Sequence, residues 1–275
     1  MWTYPSMDPV AIALGPIQIH WYGLMYLAGF LTFWLYGSFL SNKKQHWNKD
    51  LVSDFLFYGA LGVILGGRIG YILFYDLPHY LEHPLDMLEV WKGGMSFHGG
   101  LLGVILAIFW FARYKMKVSV FVVSDFVAPL VPLGLFFGRI GNFINGELWG
   151  KMASNPDSVF AMKVYDAALN QVVAKYPTQL LEAFLEGVVL FIILAIYSRS
   201  QRPLGAVSGM FLGFYGVFRF YVEFYRVPDV QLGYLMWDWL TMGQVLSLPM
   251  ILIGFGLVAW AYRRDKTIDS SQSHS

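Results

Sequence analysis

About seven apolar runs of membrane-crossing length fill this chain, and they limit its fold more than any other feature. A hydrocarbon layer about 30 Å thick takes about 20 helical residues to cross. Runs over about 17–40, 54–75, 96–112, 119–139, 179–198, 204–223 and 239–262 meet that requirement. Lipid offers no partner to a backbone N–H or C=O, so spanning elements are helices or closed barrels. These runs are continuous rather than alternating, so they predict an all-α integral membrane protein. The expected architecture is a bundle of about seven transmembrane helices in a single polytopic domain over residues 1–275. Only 13% of residues are charged and 57% are hydrophobic, against about 25% charged in soluble domains.

Lysines and arginines between the runs set the orientation. Lys43, Lys44 and Lys49 follow the first run, Arg113, Lys115 and Lys117 the third, Arg199 and Arg202 the fifth, and Arg263, Arg264 and Lys266 the seventh. These four segments are expected in the cytoplasm, which puts the N-terminus outside and the C-terminus inside. The N-terminus lacks a basic stretch followed by a small-residue cleavage site, so the first run is expected to be retained as a span. Residues 140–177, rich in small and polar side chains, form the one sizeable extramembrane segment and are expected to make a small external cap. The tail, KTIDSSQSHS, reads as disordered.

The net charge of +1 and the lack of a basic, aromatic-interleaved face give no basis for nucleic-acid binding. With zero cysteines there is no disulfide, thiolate metal site or cysteine nucleophile. Any thiol in the chemistry must come from a substrate. His20, His79 and His83 lack metal-ligand spacing on one helix face, so no metal and no cofactor are expected.

Three runs of like orientation each carry an arginine near their outer end: Arg68 among Gly66, Gly67 and Gly70, Arg139 between Gly138 and Gly141, and Arg219 before Glu223. An arginine at the bilayer centre costs roughly 2.5–3.5 kcal/mol on insertion scales, so one kept near lipid implies a function. A single arginine at a helix end is also explained by snorkelling. Three at one expected depth, with Ser96, His98, His20, Tyr22 and Tyr26, point to a site open to the outer leaflet. Tyr215, Arg219 and Glu223 share one helix face, which fits either an internal ion pair or ligand contacts. His98 fits a helix-entry histidine bonded to backbone as well as a catalytic group. Asp125, inside the fourth run, reads as a helix-packing hydrogen bond, and Trp21, Tyr22 and Trp91 read as interface-belt aromatics. GGRIGYILF at 66–74 echoes FGRIGNFIN at 137–145, which packing of small residues explains as well as duplication does.

The densest polar motif is GRIGNFINGELWG, residues 138–150. Guanidinium groups present planar paired donors to phosphate oxygens, and phospholipid head groups lie at the expected depth. Two arginines there would hold a lipid phosphate and stabilise the charge it gains as a leaving group. Asn142, Asn145 and Glu147 add hydrogen bonds or orient the guanidiniums, and a histidine can take a proton from a nucleophile. The residues alone lead to an outer-leaflet phospholipid-handling protein. A lipid or anionic-solute transporter is the alternative, although the inner halves of the runs are almost wholly apolar.

The same stretch resembles the signature of the bacterial prolipoprotein diacylglyceryl transferase family, G-R-x-G-N-F-x-N-x-E-x-x-G, at Gly138, Arg139, Gly141, Asn142, Phe143, Asn145, Glu147 and Gly150. Similar segments are IHWYGLMY at 19–26, GGRIGYILFY at 66–75, GGMSFHGGLLG at 93–103, YPTQLLEA at 176–183 and FRFYVEFYRVPD at 218–229. The resemblance implies a multi-pass inner-membrane enzyme, acting as a monomer with its site towards the outer leaflet. Such an enzyme moves the diacylglyceryl group of phosphatidylglycerol onto the lipobox cysteine of a prolipoprotein, leaving a thioether and glycerol 1-phosphate. It implies His98 as the base, with Tyr26, Tyr215 or a carboxylate as alternatives. Arg139 is implied as the lipid contact, Arg219 as a second phosphate clamp, and Glu147 and Glu223 as residues orienting them. Asn142 and Tyr26 would line the head-group pocket with Arg68, Tyr215 and Asn145, and Gly150 would permit a tight turn.

Overall fold

The computed structural model describes residues 2–15, 17–228 and 233–272. In chain order the elements are β1 (Trp2–Thr3), β2 (Val10–Leu14), β3 (Ile17–His20), α1 (Trp21–Ser41), α2 (Lys49–Tyr75), α3 (Leu77–Glu82) and α4 (Phe97–Trp110). They continue with α5 (Val120–Val127), α6 (Val131–Ile144), β4 (Met162–Asp166), β5 (Gln171–Lys175), α7 (Thr178–Glu182), α8 (Leu190–Tyr197), α9 (Ala206–Val222) and α10 (Met242–Gln272). A π-helical turn, Phe111–Met116, prolongs α4, and a second, Ala183–Val189, joins α7 to α8. The protein is mostly helical, as expected of an all-α integral membrane protein.

Among the described residues, five helices are long and apolar enough to cross a membrane: Trp21–Ser41, Lys49–Tyr75, Phe97–Met116, Thr178–Tyr197 and Met242–Lys266. The pair α5 and α6 makes a sixth if taken as one span bent by 44°. Pro129 and Pro132 flank the bend, and each removes a backbone donor from the helical ladder. The remaining apolar helix, α9, has 17 residues.

Two sequence expectations change in detail. The first helix starts at Trp21, because Ile17, Gln18, Ile19 and His20 alternate apolar with polar and pair antiparallel with β2. Helix α10 runs to Gln272, so the tail expected to be disordered is helical that far, and its last three residues lie outside the described ones. Once a helix is nucleated, each added residue gains a backbone bond. Between residues 140 and 177, α6 ends at Ile144, and β4 and β5 form a hairpin with β1 parallel to β4. The Tyr4 hydroxyl bonds the carbonyls of Phe143 and Ile144 at 3.0 and 2.8 Å, satisfying acceptors that a helix end leaves open. On the hairpin, a 2.6 Å hydrogen bond from Lys175 holds the Asp166 carboxyl below the usual carboxylate range.

The chain forms two compact units, Trp34–Ser124 and the remainder, Met1–Phe33 with Asp125–Ser275. Each contains a helix pair packed through glycines. In the Trp34–Ser124 unit, α2 meets α4 through Gly62, Gly66 and Gly70 against Gly99 and Gly103; a Cβ on Gly66 would meet Gly103 Cα at 2.9 Å. In the other unit α9 meets α10, where a Cβ on Gly209 would meet the Gly254 carbonyl at 2.7 Å and one on Gly216 would meet Ile251 at 2.9 Å. Lipid tails are as apolar as leucine, so close backbone approach, rather than expulsion of water, holds such pairs.

Asp125 fixes the start of α9. Its carboxylate accepts from Gly205 N at 2.7 Å, Ser208 N at 2.8 Å and Ser208 Oγ at 2.5 Å. The N-cap position holds Gly205, at φ 94°, which has no side chain to offer, so a neighbouring helix supplies the cap. Asp125→Ala is expected to lower stability by about 1.5–3 kcal/mol, the range for hydrogen bonds to a charged group. Thermal unfolding in detergent measures this, and an unchanged midpoint would refute the capping role. Gly103→Ala is expected to lower the same midpoint by overpacking against the Gly62 carbonyl, on the order of 1–3 kcal/mol. Gly256→Ala, with open space around it, is expected to leave the midpoint unchanged or raise it.

Candidate functional site

The polar heart of the larger unit is one carboxylate shared by three arginines. Glu182, at the end of α7 and 1% exposed, pairs with Arg139 Nε at 2.6 Å and accepts from Arg219 Nη1 at 3.3 Å and Arg226 Nη1 at 2.6 Å. Arg139 comes from α6, Arg219 from α9, and Arg226 from the turn after α9. Glu223 closes the far side, 2.9 Å from Arg219 Nη2 and 3.4 Å from Arg226 Nε. Glu186, on the π-turn and wholly buried, lies 3.8 Å from Arg139 Nη2, and neither of its oxygens has a hydrogen-bond partner. Three guanidiniums thus face three carboxylates, and the cluster is formally neutral. Taking ions out of water costs several kcal/mol each, so only a balanced group of this kind is sustainable inside a helical bundle.

The balance leaves donors to spare. Each arginine is about one-fifth exposed, while the carboxylates beneath are almost fully buried. Arg139 and Arg219 each engage two carboxylates and still retain guanidinium N–H groups without a partner among the described residues. A surface of positive donors backed by buried carboxylates suits an anion that arrives from outside the cluster. Tyr215 stands against it on α9, with Glu186, Arg219, Arg139 and Glu182 as its charged neighbours.

The loop after α6 packs onto this cluster. Glu147 accepts from Asn142 Nδ2 at 2.8 Å and Asn145 Nδ2 at 3.4 Å, so its observed partners are amides; the carboxylates on Arg139 are Glu182 and Glu186. Gln179, one turn before Glu182, donates to the Glu147 carbonyl, and Thr178 Oγ1 donates to the Leu148 carbonyl at 2.9 Å. The left-handed turn in this motif falls at Gly146 (φ 68°) and Leu148 (φ 61°) and not at Gly150. Gly150 is needed for close approach: a Cβ there would meet Tyr225 O at 2.5 Å, Thr178 Cγ2 at 2.6 Å and Tyr176 O at 2.9 Å. Its backbone bridges to Arg226, which ties the motif loop to the third arginine.

Helix α1 contributes a tyrosine pair. Tyr22 and Tyr26 hydroxyls lie 3.3 Å apart, and Tyr26 is half exposed. Tyr22, read from the sequence as an interface-belt aromatic, packs on Gly141, where a Cβ would meet its ring at 2.8 Å, and its hydroxyl reaches the Asn142 side chain. Glycine at 141 is what admits the ring.

Arg68 and His98 belong to the Trp34–Ser124 unit. Arg68 is 5% exposed and donates to backbone carbonyls, to Met87 at 3.0 Å, to Gly93 at 2.7 Å, to Gly94 at 3.3 Å and to Asp86. The Tyr80 ring covers its guanidinium at 5.1 Å. Arg68 therefore fastens the segment after α2, beside a cavity of about 210 Å³ lined also by His79, Asp86 and Glu89. That segment leads into Ser96, whose Oγ caps α4 through Gly99 N at 3.2 Å. His98, in the first turn of α4, is exposed and has no side-chain hydrogen bond among the described residues.

Of this cluster, sequence reasoning named Arg139, Arg219 and Glu223 and missed Glu182, Glu186 and Arg226; Asn142 and Glu147, which it also named, lie in a separate hydrogen-bonded pair beside it. A signal was available. Glu182 and Glu186 are carboxylates four apart on Thr178–Tyr197, the most apolar of the crossing helices, and lipid does not tolerate such a pair without cations.

A multi-pass helical membrane protein with a buried, charge-balanced arginine cluster presenting free donors is a protein that handles anionic groups at the membrane. A model of the prolipoprotein diacylglyceryl transferase family matches residues 9–260. A protein of Hydrogenovibrio crunogenus named phosphatidylglycerol–prolipoprotein diacylglyceryl transferase is 71% identical over 268 residues, covering 98% of this chain and 99% of its own. Proteins of the same name from Pseudomonas savastanoi and Ectopseudomonas mendocina are 57% and 58% identical, each over 96% of this chain and 97% of its own. This chain belongs to the prolipoprotein diacylglyceryl transferase family.

The two buried glutamates should separate cleanly. Glu182→Ala leaves three guanidiniums without their shared anion and is expected to cost about 3–5 kcal/mol. Glu186→Gln unbalances the cluster by one charge but removes a carboxylate without a hydrogen bond among the described residues, and is expected to cost much less, under about 1.5 kcal/mol. Thermal melts of both variants in one detergent decide it; equal destabilisation would contradict the unequal roles.

Proposed function

We propose that this chain transfers the diacylglyceryl group of phosphatidylglycerol to the cysteine thiol of a prolipoprotein lipobox, forming a thioether and releasing glycerol 1-phosphate. The observation that carries this reading is the arginine cluster around Glu182, found in a chain similar over nearly its whole length to enzymes named for that transfer. The chemistry requires an anion site whose hold strengthens as charge develops, and guanidinium donors on a fixed carboxylate base provide it.

The substrate cysteine is the nucleophile, consistent with a chain that has none of its own. A free thiol with a pKa of about 8.5 is mostly protonated at neutral pH, so it needs a base. His98 takes that proton, sulfur bonds to the glyceryl carbon, and the C–O bond to phosphate breaks with its electrons going to the phosphate oxygen. Arg139 and Arg219 hold that phosphate and meet the extra charge on it, and Glu223 fixes the angle of Arg219. Glu147 sets Asn142 and Asn145, which with Tyr26 and Tyr215 line the head-group pocket. Gly150 keeps the motif loop against Arg226. Arg68 acts through the segment it fastens, which leads to Ser96 and His98.

The chain crosses the bacterial inner membrane about seven times as one polytopic domain, with the N-terminus outside, the C-terminus inside and residues 140–177 supplying a periplasmic cap beyond the end of α6 at Ile144. The excess of lysine and arginine after the first, third, fifth and seventh runs supports this orientation. It acts as a monomer, with the site facing the outer leaflet.

Purified protein incubated with phosphatidylglycerol and a lipobox peptide is expected to add a diacylglyceryl mass to the peptide and release glycerol phosphate. Arg139→Ala is expected to lose at least about a hundredfold in that rate, as when a transition-state donor is removed. No mass gain from well-folded protein would turn the reading towards lipid transport. His98→Gln is expected to lower turnover by roughly 10²–10⁴-fold, the usual contribution of a general base. Near-normal turnover between about pH 6 and 9, at normal protein levels, would remove His98 as the base.

A further inference from the structure

We infer that the first turn of α10, through Thr241 and Gly243, positions Glu223 and so sets the two arginines that Glu223 holds. This rests on the transferase reading and adds a part of the chain that the motif and the arginine-bearing helices do not reach. Glu223 is 5% exposed, and its Oε2 makes ion-pair contacts with Arg219 at 2.9 Å and Arg226 at 3.4 Å, without hydrogen-bond geometry among the described residues. Its Oε1 accepts from Thr241 Oγ1 at 3.0 Å. That hydroxyl has two duties, because Thr241 is also the N-cap of α10. Gln244 N donates to Thr241 Oγ1 at 3.3 Å, and Thr241 N donates to Gln244 Oε1 at 3.0 Å, a reciprocal capping box of the Thr-x-x-Gln type. The cap holds the threonine in a single orientation, and the threonine in turn holds the glutamate.

Gly243 makes this geometry possible. A Cβ at this position would lie 2.6 Å from Glu223 Cδ and 2.7 and 2.8 Å from its two oxygens. The carboxylate therefore rests on the bare backbone of the first turn of α10, where the helix presents its positive end. Thr241 is 2% exposed and Gln244 is fully buried, so water does not replace these contacts. Close approach at Gly209, Gly213 and Gly216 fixes α10 against α9, the helix that carries Arg219. The distance between the α10 cap and the arginines is thus set by backbone packing.

Thr241 and Gly243 are positioning residues, not catalytic ones, and the test must separate this from a loss of helix stability. Thr241→Val keeps the shape and removes the hydroxyl, whereas Thr241→Ser restores it. Thr241→Val is expected to lower kcat roughly ten- to a hundredfold, with a smaller change in KM for phosphatidylglycerol, because a small misplacement of charged groups is felt mainly in the transition state. Thr241→Ser is expected to recover to within about threefold of wild type, and Gly243→Ala to lose activity as Thr241→Val does. Asn48→Ala removes the cap of α2, where Asn48 accepts from Leu51 N at 2.8 Å, and serves as a control for cap loss alone. It is expected to lower the melting point while keeping kcat. Glu223→Gln is measured beside them. If Glu223→Gln is impaired while Thr241→Val turns over normally, or if valine and serine are equally damaged, the positioning role is overturned. If well-folded wild type transfers nothing, the function itself is overturned.

Discussion

The site rests on the Glu182 carboxylate. A single anion, almost wholly out of solvent, draws guanidiniums from α6, from α9 and from the turn beyond α9 to distances of 2.6–3.3 Å. Without it, three like charges would converge with only Glu186 and Glu223 at their margins, and part of their repulsion in a medium of low dielectric would go uncompensated. The glutamate therefore holds the cations together and leaves each with donors free on the exposed side. A site made this way can accept a phosphate without first rearranging, which is the condition for electrostatic help to a departing group.

Such a cluster needs helices that do not move relative to one another, and the chain obtains this from glycine. In the unit that carries the arginines, Gly209, Gly213 and Gly216 of α9 lie against the backbone and side chains of α10, and Asp125 pins the first turn of α9 from α5. The motif loop is held by backbone contacts too, with Gly150 pressed between Tyr176 and Tyr225. Charged side chains in the site are long and flexible, so their precision comes from the main chain beneath them.

Much of the fold was legible, because apolar length is a strong signal and lipid permits few structures. The arginines of the site were legible for the same reason, as costly residues in costly places. What stayed hidden were the partners. Glu182 and Glu186 sit inside a run that reads as a plain span, Arg226 reads as a loop cation, and Thr241 and Gln244 fall unremarked at the start of the seventh run. Glu182 takes its meaning from Arg226, 44 positions away, and Thr241 from Glu223, 18 away, and sequence periodicity carries no information on such pairings. The start of α1 was misplaced for a local reason: the four residues before Trp21 are apolar enough to extend a hydropathy run, yet alternate as a strand.

The two GRIG tetrapeptides show how far a motif alone can mislead. In α2 the glycines around Arg68 lie against Gly99 and Ser96, and the guanidinium is taken up by carbonyls of the segment that follows the helix. In α6, Gly141 admits the ring of Tyr22, and Arg139 meets the carboxylates of Glu182 and Glu186. The four residues are the same; the difference is in what faces them. Carbonyl oxygens carry partial charge and fill an arginine's donors without neutralising it, which suits a fastening for a loop. Carboxylates neutralise the charge while using only part of the donor fork, and an arginine so held can still take a phosphate oxygen. The same tetrapeptide thus carries an arginine bound by carbonyls in one place and an arginine paired with carboxylates in the other, with the opposing surface deciding which.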